Sequence, residues 1–496
     1  MYIKRIKMHN IRGLRGTTTV DLSPGLNYLV GENNVGKSTI LFAIEYLRNG
    51  TNNNEQIYTT NSNESQVIVD LSGDDLEEML GNEDFNKLQD FLWCDQQSKD
   101  LSKSKILRVR RQSNQETVQQ GKKKVNIDAK KITFWNPKSS QFEAITGIDT
   151  KFKSLLDLNF IYADDAPEAH VNMGTSKTLG KLISAAISDI DKCKPWLNFT
   201  EAHKALFTQQ GEGTVQNALQ ELSTEISEVI TEQYGKATAR FNFEVPDPTS
   251  LLKSGQVLLS SNINNEGETP LENKGTGLQR AFMLALLQVF GQKSQKRGSS
   301  GYQKMIFGLD EPETWLHPRA QLSLAKAIRG IADNQQVLLI THSPYMIQGF
   351  EENDSYTMLV MKNESGTPKI KTHDELNTCQ LPYVSWNAIN YYAFMIPSIE
   401  FMDELYGHFQ NLCLQKDSAR EKDIVTKLEE LGISSSLQWY NNRDNKYYNV
   451  PNVVYVRNSV HHPENTKNPR YNNQQLIIAI EELEQAIHTW IEKNSR

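Results

Sequence analysis

The chain has 496 residues, 38% hydrophobic and 23% charged, which allows a sizeable core and argues against wholesale disorder; at roughly 150 residues per unit it predicts about three structural units. Acids outnumber bases 60 to 53, a net charge of -7, which excludes a globally basic nucleic-acid binder and leaves room only for a local basic patch. No stretch nears the roughly 18 apolar residues of a membrane helix, MYIKRIKMHNIRG has no apolar signal region, and Cys94, Cys193, Cys379 and Cys413 form no CxxC pair, so a reduced, cytoplasmic setting is expected.

Residues 2–8 (YIKRIKM) alternate apolar and basic as a half-buried strand does, and a second extended run covers 18–22. The apolar LNYLV (26–30) suits a buried strand and runs directly into GENNVGKST (31–39), after which ILFAIEYL (40–47) has helical spacing. Residues 49–65 are rich in Asn, Thr and Ser and predict a loop; QVIVDL (66–71) predicts another strand. Residues 101–131 hold ten Lys or Arg against Glu116 and Asp128. The alternation in KILRVRR and the GKKK turn predict an exposed basic β-hairpin, able to hold a phosphate backbone or simply to guard a sheet edge.

Residues 150–235 have mostly helical spacing. NKGTGLQRAFMLALLQVF (273–290) is a second glycine turn leading into a helix, KMIFGLDEPE (304–313) an apolar strand ending in acids, LSLAKAIRGIA (322–332) an amphipathic helix, and QQVLLITHSPYMI (335–347) a strand running into a loop. This β, α, β order predicts a parallel sheet covered by helices. Beyond about residue 372 Tyr, Asn and Trp become frequent, and a separate, mainly helical C-terminal domain is expected, ending in an amphipathic helix near 473–493. Its aromatic run WYNNRDNKYY (439–448) suits a packing surface or partner interface better than base stacking.

GENNVGKS matches G-x-x-x-x-G-K-[ST]. Gly31 and Gly36 let the backbone curl so that the N–H groups of Glu32, Asn33, Asn34, Val35 and their neighbours face phosphates, and the helix opening at Lys37, Ser38 and Thr39 adds its positive end. Lys37 is expected to reach the β- and γ-phosphates of ATP and Ser38 to ligate Mg²⁺. The strand ending in Asp310 and Glu311 supplies the complementary half: Asp310 to hold Mg²⁺, Glu311 to orient and polarise the attacking water. His342, at the end of the following apolar strand, is placed to sense the γ-phosphate.

The pieces MHNIRGLRG with GENNVGKST, GTGLQR, LDEPETWLHP and LLITHSP together resemble, in order, the Walker A loop, signature, Walker B with D-loop, and switch histidine of the ABC-type ATPase heads shared by SMC, RecF and OLD-family proteins. The resemblance implies an α/β ABC-type P-loop head with a mixed β-sheet and a helical insertion, plus the mainly helical C-terminal domain. The expected division is 1–150 as N-lobe with Walker A and the basic hairpin, 151–265 as helical insertion, 266–372 as C-lobe, and 373–496 as effector or partner-binding domain. In such heads the signature of one copy closes over ATP held by the other. The resemblance therefore implies that Lys274, Gly275, Thr276, Gly277 and Gln279 act in trans, in a head-to-head dimer or a higher homo-oligomer.

The segment between Walker A and signature has no long heptad run, unlike SMC arms, and no D-x-D follows residue 350, as a self-contained TOPRIM nuclease of OLD type would need. AINYYAFMIPSIEFMDELYGHF (388–409) with VRNSVHHPENTKNPRY (456–471) resembles the PtuA ATPase subunits of Septu-type antiphage defence systems. That implies a regulator of an HNH-type nuclease partner; the basic 101–131 segment offers nucleic acid as a further contact, and the lack of a long apolar stretch predicts none with a membrane. Arg457 and His462, in the order R-N-x-x-x-H, also resemble the HEPN ribonuclease motif, which would make the protein an ATPase-gated ribonuclease, although Pro463 limits a helix there. A RecF-like DNA-repair clamp is the third alternative.

Overall fold

The protein is described by a computed structural model. It covers residues 1–50, 64–94, 105–164, 190–207, 214–241, 243–247, 255–261, 266–275, 277–279, 281–283, 305–314, 316–350, 355–364 and 367–494, with positions 179, 180, 183, 251, 285, 286 and 289. The chain divides into two compact units, one of residues 1–163 with 294–496 and one of residues 164–293.

The first unit opens with β1 (Tyr2–Ile11), β2 (Leu14–Asp21) and β3 (Leu26–Gly31), followed by helix α1 (Lys37–Asn49). Every residue of β3 is buried, as expected of an interior parallel strand whose two faces are both covered. Ile40, Leu41, Ile44 and Leu47 of α1 are fully buried, and the helix packs against β1, β4 (Gln66–Ser72) and other strands. Each such side chain contributes about 1.5–3 kcal/mol by leaving water. Of the loop expected over 49–65, residues 51–63 lie outside the described residues.

After β4 come β5 (Leu92–Cys94), β6 (Lys105–Gln112), β7 (Glu116–Gln120), β8 (Lys123–Ile127), β9 (Ile132–Asn136) and β10 (Gln141–Glu143). With β1 and β2 they form a nine-stranded sheet in the order β2-β1-β4-β6-β9-β10-β7-β8, with β5 also paired to β6. The basic hairpin is thus only partly as expected. GKKK does form the turn of the β7–β8 hairpin, and Lys122, Lys123 and Lys124 are exposed there. KILRVRR, however, is a central strand, paired with β4, β5 and β9. Its arginines are held inside the sheet: Arg108 makes two hydrogen bonds to the Asp70 carboxylate (2.6 and 2.8 Å), Arg110 pairs with Glu116 (2.5 Å), and Arg111 donates to the carbonyls of Leu47 and Ala129 (2.8 Å each). A guanidinium tolerates burial because its planar fork can satisfy several acceptors at once.

Helix α2 (Ile148–Leu155) and β11 (Asp157–Ile161) end the first stretch. β11 is a strand inside the segment read as helical; its pairing with a distant strand leaves no local signal. The second unit contains α3 (Lys194–Phe207), α4 (Val215–Tyr234), capped by the Thr214 hydroxyl, and the hairpin of β12 (Leu258–Ser261) and β13 (Glu266–Pro270). The GTG turn belongs to this unit, and Thr276 lies outside the described residues.

The chain returns to the first unit with β14 (Met305–Asp310), α5 (Pro318–Ala332), β15 (Gln336–Ile340), β16 (Tyr356–Glu364) and β17 (Thr367–Thr372). These build a six-stranded sheet, β11-β14-β15-β3-β16-β17, parallel except for β17. One continuous apolar cluster joins residues of both large sheets, from Ile3 and Leu71 to Ile306, Leu338 and Met361.

Residues beyond 372 form α6 (Trp386–Phe394), α7 (Ile399–Leu414), α8 (Glu421–Glu430), the hairpin β18 (Leu437–Asn441) and β19 (Lys446–Val450), α9 (Asn452–His461) and α10 (Asn473–Asn494). They have a core of their own around Phe401, Leu405, Phe409, Val453, Ile480 and Leu483. The expected mainly helical character is present, with a hairpin added. The aromatic run is that hairpin: Trp439 is buried edge-on against Tyr455, and the Tyr448 hydroxyl donates to Glu421.

Candidate functional site

Because β3, β14 and β15 run parallel, their C-terminal ends open on one edge of the sheet, where ligands of such folds bind. Three loops meet there: 32–36 after β3, 311–314 after β14 and 341–343 after β15. Two backbone hydrogen bonds tie them, Glu311 N–H to the Ile340 carbonyl (2.9 Å) and Thr341 N–H to the Leu29 carbonyl (3.4 Å).

The first loop curls as its glycines predict. Gly31 has φ 126° and Gly36 φ 96°, both left-handed, with Asn34 at φ 62° between them. A side chain at Gly31 would place its Cβ 2.0 Å from the Met361 carbonyl oxygen of β16. Gly36 precedes α1 with no side chain capping the helix. Free first-turn amides and the helix dipole make such a terminus an anion site. Glu32, Asn33, Asn34 and Ser38 are exposed, while Val35, Lys37 and Thr39 are buried. Lys37 folds its ammonium back onto the carbonyls of Gly31 (3.2 Å) and Glu32 (2.5 Å). Burial pulls its pKa down, and the nearby carboxylates of Glu311, Asp310 and Glu32 pull it up.

Asp310 is buried at the end of β14, and Glu311 follows with φ 47°. A non-glycine residue there carries backbone strain of the kind that collects at functional sites. His342 Nε2 lies 3.5 Å from Glu311 Oε1. Burial and the Lys37 charge hold the imidazole pKa below its ordinary value, against the pull of Glu311, so the ring is neutral near pH 7. The structure therefore brings Lys37, Asp310, Glu311 and His342 to one edge of the sheet.

Two residues there carry no role in the sequence reading. Glu313 is buried, and its Oε1 accepts from the Thr341 hydroxyl (2.5 Å) and the His342 amide (3.0 Å). The only sequence signal is that both fall in the motif strings, in LDEPE and THSP.

In the second unit Gln279 is 2% exposed and donates to the carbonyls of Glu272 and Lys274 (3.0 Å each), pinning the turn that carries Gly275 and Gly277. A Cβ at either glycine would meet no described atom within 4 Å.

The R-N-x-x-x-H residues have different neighbours. Arg457 on α9 lies over the Tyr406 ring (4.5 Å), while His462, just past the helix, is exposed and 3.3 Å from Glu464. Among the described residues no group of three or more His, Cys, Asp or Glu side chains could hold a metal ion, and no helix is long and apolar enough to cross a membrane.

A phosphate loop at a helix start, facing two strand-end acids and a histidine across a parallel sheet, defines a P-loop ATPase head of the ABC type. Residues 1–347 match the AAA ATPase domain family, and the chain belongs to it. The Old nuclease of Escherichia phage P2 is 25% identical over 379 residues, covering 75% of this chain and 61% of that protein, so this chain spans about 61% of its relative's length. A structural maintenance of chromosomes protein 3 homolog of Plasmodium falciparum is 43% identical over 58 residues, 12% of this chain and 5% of that one. Among solved structures, an Smc head bound to the C-winged helix domain of ScpA aligns at TM-score 0.42 with 15% identity, over 75% of this chain and 98% of that one. The SMC head domain from Thermotoga maritima aligns at TM-score 0.33 with 11% identity, over 75% and 99%.

Proposed function

We propose that the protein binds and hydrolyses ATP as the regulatory subunit of a bacterial antiphage defence system, similar to the Septu ATPase PtuA, and controls an HNH-type nuclease partner through nucleotide-dependent dimerisation of its heads. The observation that carries the ATPase reading is the convergence of Lys37, Asp310, Glu311 and His342 at the ends of three parallel strands. Lys37 exchanges its two carbonyl partners for β- and γ-phosphate oxygens. The exposed Ser38 hydroxyl and the Asp310 carboxylate are hard oxygen donors of the kind that would hold Mg²⁺. Bound Mg²⁺ supplies charge neutralisation at the phosphates. Glu311 orients the attacking water, and the neutral His342 ring donates a hydrogen bond to the γ-phosphate.

Gly275 and Gly277, where an added Cβ would meet no described atom within 4 Å, suit close approach of a second copy's nucleotide; Lys274 and Thr276 stand beside them in sequence, and the buried Gln279 supports the turn. Similarity to a phage nuclease supports a role connected with nucleic acid, and the exposed Lys122–Lys124 tip is the surface suited to a phosphate backbone.

Lys37→Ala should abolish ATP binding in calorimetry. Glu311→Gln should bind ATP, turn it over about 100-fold more slowly, and accumulate as a dimer in light scattering. Wild-type affinity in the first variant, or wild-type turnover and assembly in the second, contradicts the site. Co-purification with the products of neighbouring genes tests the partner: the reading expects an HNH-type nuclease, and its absence removes the PtuA-like role.

A further inference from the structure

We infer that Glu313 is a positioning residue of the ATPase centre: its buried carboxylate fastens the turn carrying His342 to the loop carrying Glu311 and so sets the geometry of that pair. The inference rests on the ATPase reading for its catalytic consequence, while the structural link itself is independent of it.

The link is a closed circuit of hydrogen bonds. Glu313 Oε1 accepts from the Thr341 hydroxyl and the His342 amide. The Thr341 hydroxyl in turn accepts from the Ser343 amide (3.0 Å). Ser343 Oγ donates to Gln321 Oε1 (2.5 Å), and Gln321 Nε2 donates to the Leu316 carbonyl (2.8 Å), which returns to the loop after β14. On that loop the Glu311 carbonyl accepts from the Thr314 amide (3.1 Å) and hydroxyl (2.8 Å), holding Glu311 at its positive φ. The two segments that the circuit ties carry His342 and Glu311, whose Nε2 and Oε1 lie 3.5 Å apart.

The circuit carries a cost that packing alone does not explain. Glu313 is 7% exposed, and its Oε2 is buried with no hydrogen-bond partner among the described residues. Burial raises the pKa of its carboxyl, and the neighbouring Glu311 adds to the rise. An orphaned buried carboxylate oxygen costs stability, and such groups persist where they serve a site. Oε1 can accept both donors whether the carboxyl is ionised or protonated, so the tie survives a change in its charge. Removing the side chain leaves the Thr341 hydroxyl and the His342 amide without their acceptor and frees the imidazole to move by an ångström or more.

The test compares Glu313→Ala, Glu313→Gln and Thr341→Val in the full chain, with three readouts. The first is kcat and KM for ATP. The expected result for Glu313→Ala is a kcat lower by about 10- to 100-fold, the scale of a misplaced catalytic group, with KM within about twofold. Glu313→Gln keeps an acceptor for both donors and should restore most of that loss. The second is amide hydrogen exchange over 341–343, where Glu313→Ala should lose protection and Glu313→Gln should keep it. The third is an NMR titration of the His342 ring, whose pKa should move in Glu313→Ala. If Glu313→Ala fails to fold, Thr341→Val, which removes one donor, carries the same expectations at smaller size. A normal kcat in a folded Glu313→Ala, equal loss of kcat and nucleotide affinity, or unchanged exchange at His342 overturns the inference. Wild-type protein without ATP turnover removes the ATPase reading, and the exchange and titration readouts still decide the structural link.

Discussion

Gly31→Ala tests the phosphate loop at its tightest point. The new Cβ would sit 2.0 Å from the Met361 carbonyl oxygen, where ordinary contact begins near 3.4 Å. β16 or the loop must retreat by the difference, 3.4 − 2.0 = 1.4 Å. That retreat breaks the hydrogen bond from the Glu32 amide to the same carbonyl (3.2 Å), worth about 1 kcal/mol. Holding a non-glycine residue at φ 126° adds about 1–3 kcal/mol. The sum, about 2–4 kcal/mol, corresponds to a melting-temperature fall of roughly 3–5 °C for a unit of this size. The same shift moves the Gly31 and Glu32 carbonyls against which Lys37 is held, so turnover should drop by about 100-fold. Scanning fluorimetry and a phosphate-release assay read both effects. Melting within about 2 °C of wild type together with unaltered turnover would show that the loop has room the structure denies it.

Gly275→Ala and Gly277→Ala, whose added Cβ meets no described atom within 4 Å, should leave the melting temperature unchanged yet weaken ATP-dependent dimerisation in light scattering; wild-type dimerisation would remove the proposed trans role of the GTG turn. His342 has a folded pKa lowered from 6.5, so its neutral form and the stability linked to it are full above 6.5 and lost as pH falls through the folded value. The acid limb of kcat should therefore lie below 6.5, and a limb above it contradicts the burial argument. Glu313 has the opposite sign: its folded pKa is raised above 4.5, so its contribution is full below 4.5 and lost as pH rises through the folded value. Glu313→Gln escapes that loss, and its melting temperature should gain on wild type between about pH 5 and pH 8; a flat difference counts against a costly buried carboxylate.

The ATPase half of the fold was legible because its signals are local. An all-apolar strand running into a glycine loop and then a helix marks β3 and α1, and an all-apolar strand ending in acids marks β14. Lys37 could be named from the glycine loop that opens α1, and Asp310, Glu311 and His342 because each stands at or just past a strand end. What escaped depends on pairing. β11 is made a strand by β14, far along the chain, and β6 is central only because β4 and β9 flank it. Glu313 escaped for a related reason: a third acid after two adjacent carboxylates reads as solvated, and only the folded chain brings Thr341 and the His342 amide to it.

The strand order gives the buried glutamate its place in the argument. β15 lies between β3 and β14, so the strands that carry the phosphate loop and the acids are not neighbours, and the 341–343 turn after β15 is the element between them. Whatever moves that turn changes how Glu311 and His342 face Lys37 together. Glu313 and Thr341 bind the turn to one side of that gap, and the Thr341 amide binds it to Leu29 of β3 on the other. His342, Glu311 and Lys37 thus share one mechanical seat, and under the proposed reading a shift of the turn reaches the γ-phosphate sensor, the water-orienting acid and the phosphate lysine together.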